Sequence, residues 1–182
     1  MALKATIFKV ELQIADMDRH YYADHALTLA RHPSETDERM MVRLFAFARY
    51  AHEYLDFAKG LSVDDEPDLW QQDLTGAIDL WIDVGLPDER RVRKACGRAR
   101  QVVIVTYGQR AADIWWGQNS KAFAKQDNLT VLGLSTEASQ GLAALAQRTM
   151  RLQCTVQDGE MWLTDGAETV HIVPTMLQGA RA

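Results

Sequence analysis

The sequence predicts an α/β (α+β) protein, one compact domain over residues 1–182, with alternating strand and helix in its middle and strands alone toward both ends. Three observations carry that expectation. Between Ile78 and Gly108 an apolar strand, a basic helix and a second apolar strand follow one another, the order of a parallel βαβ unit. The first thirty residues and the last third read as strands joined by short turns. A chain of 182 residues that is 47% hydrophobic and 25% charged is long enough and apolar enough for a real core.

The elements follow in order. Lys4–Gln13 alternates apolar and polar residues and reads as a strand; a turn at Asp16–Arg19 returns the chain through His20–Ala30, a hairpin stopped by Arg31-His32-Pro33. Ser34 with Asp37 three residues on is a weak capping pair, and Glu35 and Asp37 suit a helix N-terminus. The spacing of Met41, Leu44, Ala48, Ala51, Leu55 and Ala58 predicts a long helix over Glu35–Lys59, ended by Gly60. After the acidic Asp64-Asp65-Glu66-Pro67 comes a short extended piece, Asp68–Asp73, and then the central strand Ile78–Val84. Pro87, Asp88 and Glu89 open a helix whose inner stripe is Val92, Ala95, Cys96 and Ala99. Gln101–Thr106 is apolar without interruption, the mark of a strand buried on both faces. Helices at Arg110–Asn119 and Thr136–Arg148 flank a strand at Leu129–Leu134, and Met150–Val156, Glu160–Leu163 and Thr169–Val173 are strands. The order of these elements lets the two ends of the chain meet in an antiparallel sheet.

Composition narrows the function classes. The net charge of −5 argues against a generally basic nucleic-acid coat, yet Asp88–Arg100 holds six cations against two acids, a local +4. No apolar run approaches a membrane span, and Lys4, Lys9 and Glu11 interrupt any signal-peptide core. A cytoplasmic protein without a membrane partner is expected. Cys96 and Cys154 stand apart with no CxxC spacing and read as two buried thiols of a reducing compartment. The five histidines show no zinc spacing, and no GxGxxG, P-loop or GxSxG occurs, so no organic cofactor is expected.

Four residues are candidates for chemistry. On the central strand Asp79, Trp81 and Asp83 share a face, opposite Ile78, Leu80, Ile82 and Val84. Carboxylates in a covered sheet need a cation or hydrogen-bond donors. Four residues of strand span about 13 Å at roughly 3.3 Å per residue, so Asp79 and Asp83 do not readily ligate one ion, whose oxygens lie about 2.0–2.6 Å away. The structural alternative has Asp83 capping the turn and Asp79 pairing with an arginine. Glu38 lies on the inner side of the long helix near its start, where an acid also suits the macrodipole. Lys94, in a row with Arg91 and Arg98, flanks the buried stripe of its helix and can reach over the strand end; the alternative is a solvated cationic face. Trp115-Trp116 reads as core rather than as a base-stacking platform.

The runs TLARHPSETDERMMVRL (Thr28–Leu44), AIDLWIDVGLPDERRVRKAC (Ala77–Cys96), TYG (Thr106–Gly108), AADIWW (Ala111–Trp116) and LQCTVQDGEMWL (Leu152–Leu163) resemble the YaeQ family of small bacterial proteins over essentially the whole chain. The resemblance implies a variant of the restriction-endonuclease-like PD-(D/E)XK core, αβββαβ, with extra N- and C-terminal strands. In that superfamily acids bind magnesium and a lysine orients the attacking water. Mapped onto this chain, Asp83-Val84-Gly85 stands where (D/E)XK belongs and Glu38 matches the helix acid. The PD aspartate is Asp79 or the Asp68 of Pro67-Asp68; Asp79 is preferred because it shares the face of Asp83. Gly85 replaces the lysine, and Lys94 on the next helix is the residue that could serve for it. Two functions follow from the resemblance: a divergent magnesium-dependent nuclease with Glu38, Asp79 and Asp83 as metal ligands and Lys94 as water-orienting cation, or a catalytically degenerate module that binds nucleic acid or a protein partner.

Overall fold

The computed structural model describes residues 4–60 and 63–181. The hairpin β1 (Thr6–Asp16) and β2 (Tyr21–Arg31) leads to helix α1 (Asp37–Tyr50), then to strands β3 (Leu55–Phe57), β4 (Leu69–Gln72) and β5 (Ile78–Val84). Helix α2 (Glu89–Arg98), strand β6 (Ala99–Thr106), helix α3 (Gln109–Phe123) and strand β7 (Leu129–Gly133) follow. Helix α4 (Thr136–Ala144) precedes β8 (Thr149–Gln157), β9 (Glu160–Thr164), β10 (Thr169–Ile172) and β11 (Thr175–Gln178). The architecture is α+β with two mixed sheets. The chain divides into two units of discontinuous sequence: residues up to Arg49 with Glu137–Pro174, and Tyr50–Thr136 with the residues from Thr175 onward. Among the described residues no helix is long and apolar enough to cross a membrane.

The first unit is built on the sheet β10-β9-β8-β1-β2. Period-two alternation puts Phe8, Val10, Leu12 and Ile14 of β1 and Met150, Leu152, Cys154 and Val156 of β8 on its buried face. Strands from the two ends of the sequence do share a sheet, but β1 and β8 pair in parallel rather than antiparallel. The connection between them is long, which removes the reversal that a tight turn imposes. Burial pushes the Cys154 thiol up to about 12, and both cysteines are free.

Helix α1 is shorter than its periodicity predicts. It starts at Asp37, with Thr36 Oγ1 accepting the Arg39 N–H at 3.1 Å, while the Ser34 N–H turns back to His32 Nδ1. Thr36 is thus the cap, not Ser34. The helix ends at Tyr50 because Leu55–Phe57 enters a hairpin with β4. Leu55 satisfied the helical spacing and is buried all the same, as a strand residue. Helix α4 likewise stops at Ala144, where the Leu145 and Ala146 N–H groups tighten onto the carbonyls of Leu142 and Ala143.

Burial in α1 is not confined to one stripe, since all nine residues Met40–Ala48 are buried, Arg43 among them. Its charge is answered by Glu35, whose Oε1 and Oε2 accept from Arg43 Nη2 at 2.6 Å and Nε at 3.0 Å. Arg43 Nη2 also donates to the Ala30 carbonyl, and Arg39 to Glu35.

The second unit carries the sheet β11-β7-β6-β5-β4-β3. Strands β3, β4 and β5 form an antiparallel meander, and β5, β6 and β7 are parallel. Helix α2 provides the crossover from β5 to β6. Its Asp88 cap accepts the Arg91 N–H, and Val92, Ala95 and the following Ala99 pack against Trp81, Val102 and Ile104. Strand β6 is buried from Val102 to Thr106, as an uninterrupted apolar run requires. Trp115 is buried and donates from Nε1 to the Pro87 carbonyl at 2.7 Å, while Trp116 packs partly exposed beside it. Strand β11, antiparallel on β7, was not signalled by the sequence pattern.

Truncating Glu35 to alanine would leave Arg43 buried without its partner carboxylate. Glu35→Ala is expected to lower the free energy of unfolding by about 3 kcal/mol, read from the urea midpoint at unchanged m-value.

Candidate functional site

In a parallel sheet the carboxyl ends of the strands are where ligands are met, and in the second unit that end of β5 collects buried charge. Asp83, the penultimate residue of β5, is 2% exposed. The ladder between β4 and β5 pairs Leu69 with Ile82, which sets Asp68 across from Asp83. The Asp68 N–H donates to the Ile82 carbonyl at 3.1 Å, and its Oδ2 accepts the Val84 N–H at 2.8 Å. Asp68 is itself buried. Its Oδ1 leans on Gly60, where a Cβ would stand 2.5 Å away and where φ is +44°, so only glycine serves at that position.

The cation that answers Asp83 is Arg91, in the first turn of α2. Arg91 donates from Nε to Oδ2 at 2.8 Å and from Nη2 to Oδ1 at 3.1 Å, a two-pronged pair. The same guanidinium donates to the main-chain carbonyls of Asp64 at 2.9 Å and Glu66 at 3.0 Å. Its hydrogen bond to Asp83 raises the Arg91 pKa against the opposing effect of burial. Outward along α2, Lys94 Nζ donates to Asp65 Oδ1 at 2.8 Å and Arg98 Nη1 to the Asp65 carbonyl at 2.8 Å. Lys94 holds the Asp65 carboxyl below its ordinary 3.8. The Arg98 guanidinium also lies 5.1 Å from the centroid of the Trp81 ring. The row of cations on α2 thus faces the acidic loop.

Of the residues singled out in the sequence, the second unit brings Asp83 together with Asp68 rather than with Asp79. Asp79 is near the opposite end of β5, where Arg100 approaches its Oδ1 at 3.5 Å and no hydrogen bond forms. Lys94 is held by Asp65, and Arg91 has the place at Asp83 for which Lys94 was named. Glu38 belongs to the first unit, where its Oε2 accepts from Ser139 Oγ at 3.0 Å. These residues do not fit a magnesium centre as they stand. Both oxygens of Asp83 are taken by Arg91, and among the described residues no three His, Cys, Asp or Glu side chains converge to hold an ion. Gly85, for which the family resemblance implied a lysine position, has φ +108° and donates its N–H to the Val105 carbonyl. The chain leaves the strand there in a backbone conformation that a lysine resists.

The profile of the YaeQ protein family matches residues 1–174. The chain belongs to the YaeQ family. It is 51% identical over 178 residues to the YaeQ protein of Escherichia coli (strain K12), covering 98% of each chain, and equally identical to that of Salmonella typhi. The crystal structure of the YaeQ protein from Xanthomonas axonopodis pv. citri superposes with a TM-score of 0.93 at 52% identity, over 96% of this chain and 99% of that one. The YaeQ protein from Pseudomonas syringae gives a TM-score of 0.93 at 33% identity, over 98% of both. The family's α+β fold is therefore kept while two thirds of the residues change.

Removing Arg91 would strand a buried carboxylate, whereas removing Lys94 breaks only an exposed pair. Arg91→Ala is expected to cost about 2–3 kcal/mol and Lys94→Ala less than about 1 kcal/mol, by urea unfolding. Because the folded Asp65 pKa lies below 3.8, its contribution is present above 3.8 and lost as pH falls through the folded value. Thermal melts of Asp65→Asn followed downward through that range should show a shallower acid-side decline than the parent.

Proposed function

We propose that this YaeQ-family chain is a nuclease-like module of the cytoplasm that recognises nucleic acid without hydrolysing it. The element order α1-β3-β4-β5-α2-β6 supports a PD-(D/E)XK-type core, since it reads αβββαβ. The reading is also supported by the acid pair, with Asp68 following Pro67 just ahead of β4 and Asp83 next to last in β5. The observation that carries the non-hydrolytic reading is the two-pronged Arg91–Asp83 pair. Hydrolysis in that superfamily needs a divalent ion to polarise the phosphate and lower the pKa of water. Here the carboxylate that would hold the ion is neutralised by a guanidinium, the strand lysine is a glycine, and Lys94 is turned to Asp65.

The adjacency of Asp68 and Asp83 favours a second reading, a divergent magnesium-dependent phosphodiesterase. One experiment separates the two. Purified protein is incubated with single- and double-stranded DNA and RNA, with magnesium or manganese, and binding to the same substrates is followed by fluorescence anisotropy. The expected result is binding without metal-dependent cleavage. Cleavage that depends on the metal and disappears in both Asp68→Asn and Asp83→Asn would establish the hydrolytic reading instead. Absence of both binding and cleavage would remove nucleic acid as the partner.

A further inference from the structure

The contacts between α2 and the acidic loop fall into two classes of strength. Arg91 is bound to a buried carboxylate and to two main-chain carbonyls, and its side chain is 28% exposed. That part of the contact is fixed by the fold. The Lys94–Asp65 pair is of another kind, with side chains 61% and 72% exposed. Exposed pairs of this sort contribute little and exchange readily with other ions.

The surroundings of that pair are preset. Arg98 rests on the Trp81 ring and uses one donor on the Asp65 carbonyl, leaving most of its five N–H donors for another acceptor. Arg90, exposed, stands one turn ahead of Lys94 on the same side of α2. A carboxylate bound by a lysine between two arginines occupies the place a phosphate oxygen would take, and phosphate offers more charge and more acceptors. The loop supplies the opposing field, since Asp64, Asp65 and Glu66 carry three consecutive negative charges against that helix face.

We infer that Arg90, Lys94 and Arg98 form a phosphate-recognising site that Asp65 of the chain's own acidic loop holds closed. The ligand class is a phosphate ester or polyphosphate, and binding exchanges the Asp65 carboxylate for a phosphate oxygen while Arg91 keeps the loop backbone in place. The inference rests on the nucleic-acid reading above for one of its two possible sources of phosphate; free polyphosphate is the other.

The test uses the full chain, with Asp65→Asn and the double variant Asp65→Asn/Lys94→Gln. Inorganic tripolyphosphate is titrated by calorimetry, and a fluorescein-labelled single-stranded oligonucleotide by anisotropy at several salt concentrations. Asp65→Asn is expected to bind both ligands about two- to five-fold more tightly than the parent, the range that loss of an exposed competing pair allows. The double variant is expected to lose that gain and to lower the salt slope for the oligonucleotide by about one. A gain for tripolyphosphate that Lys94→Gln abolishes would uphold the closed site, and if no variant then bound the oligonucleotide the nucleic-acid reading would be overturned. Oligonucleotide binding with no gain for either ligand in Asp65→Asn, or a gain that survives Lys94→Gln, would overturn the closed site and leave that reading standing. No binding of either ligand by any variant would overturn both.

Discussion

The Arg91–Asp83 pair is the constraint on which the rest of the site depends. Asp83 is 2% exposed, and a charge so placed persists only with a partner of good geometry. Arg91 supplies it from the first turn of α2, and the same guanidinium reaches the carbonyls of Asp64 and Glu66. One side chain therefore joins the end of β5, the start of the crossover helix and the loop ahead of β4. The position of the acidic loop against α2 follows from this joint, and so does the outward direction left to Lys94.

Gly85 belongs to the same arrangement. At φ +108° the backbone turns out of β5, and the segment running on to Pro87 presents a carbonyl to Trp115 Nε1. Nothing lies within 4 Å of a Cβ built at Gly85, so the objection to a lysine there is conformational rather than steric. The positive charge at Asp83 comes from the helix that follows the strand.

The sequence made the centre of the fold legible nearly to the residue, because there the local signals agree. The range Ile78–Val84, the Asp88 cap, the Val92–Ala95–Ala99 stripe and the apolar β6 each point to the same βαβ unit. The end of α1 was not legible, since Leu55 satisfies both helical spacing and strand pairing and only the partner β4 decides between them. The surroundings of Asp83 were less legible, for a related reason. Asp79 was preferred to Asp68 on the ground of a shared face within one strand, whereas proximity is set across the hairpin, by the β4–β5 register. The literal Pro67-Asp68 was the available signal. Lys94 was named for the place at Asp83, which Arg91 takes because a helix that follows a strand by a short loop starts beside the strand's end and its first-turn cation is the nearer one. Side-chain direction along a cationic row cannot be read from spacing alone, because Arg91, Lys94 and Arg98 all flank the same buried stripe.

The charge on α2 also reads differently once its partners are known. Six cations against two acids over Asp88–Arg100 read as a local positive field on an acidic body. In the fold, Arg91 is paired with Asp83, Arg93 with Glu89 and Lys94 with Asp65, while Arg100, beyond the helix on β6, is paired with Asp79. Three of these four acids lie outside the helix in sequence, two on β5 and one in the loop before β4. The surface of α2 is consequently less positive than its sequence, and its attraction for an anion rises where one of the paired acids can be displaced. The buried Asp83 cannot leave Arg91, and Asp79 is fixed on a strand. Asp65 sits on a loop with its carboxylate largely in solvent. In the proposed site Lys94 is therefore the cation whose partner can be exchanged, the same residue for which the family resemblance implied a part in hydrolysis.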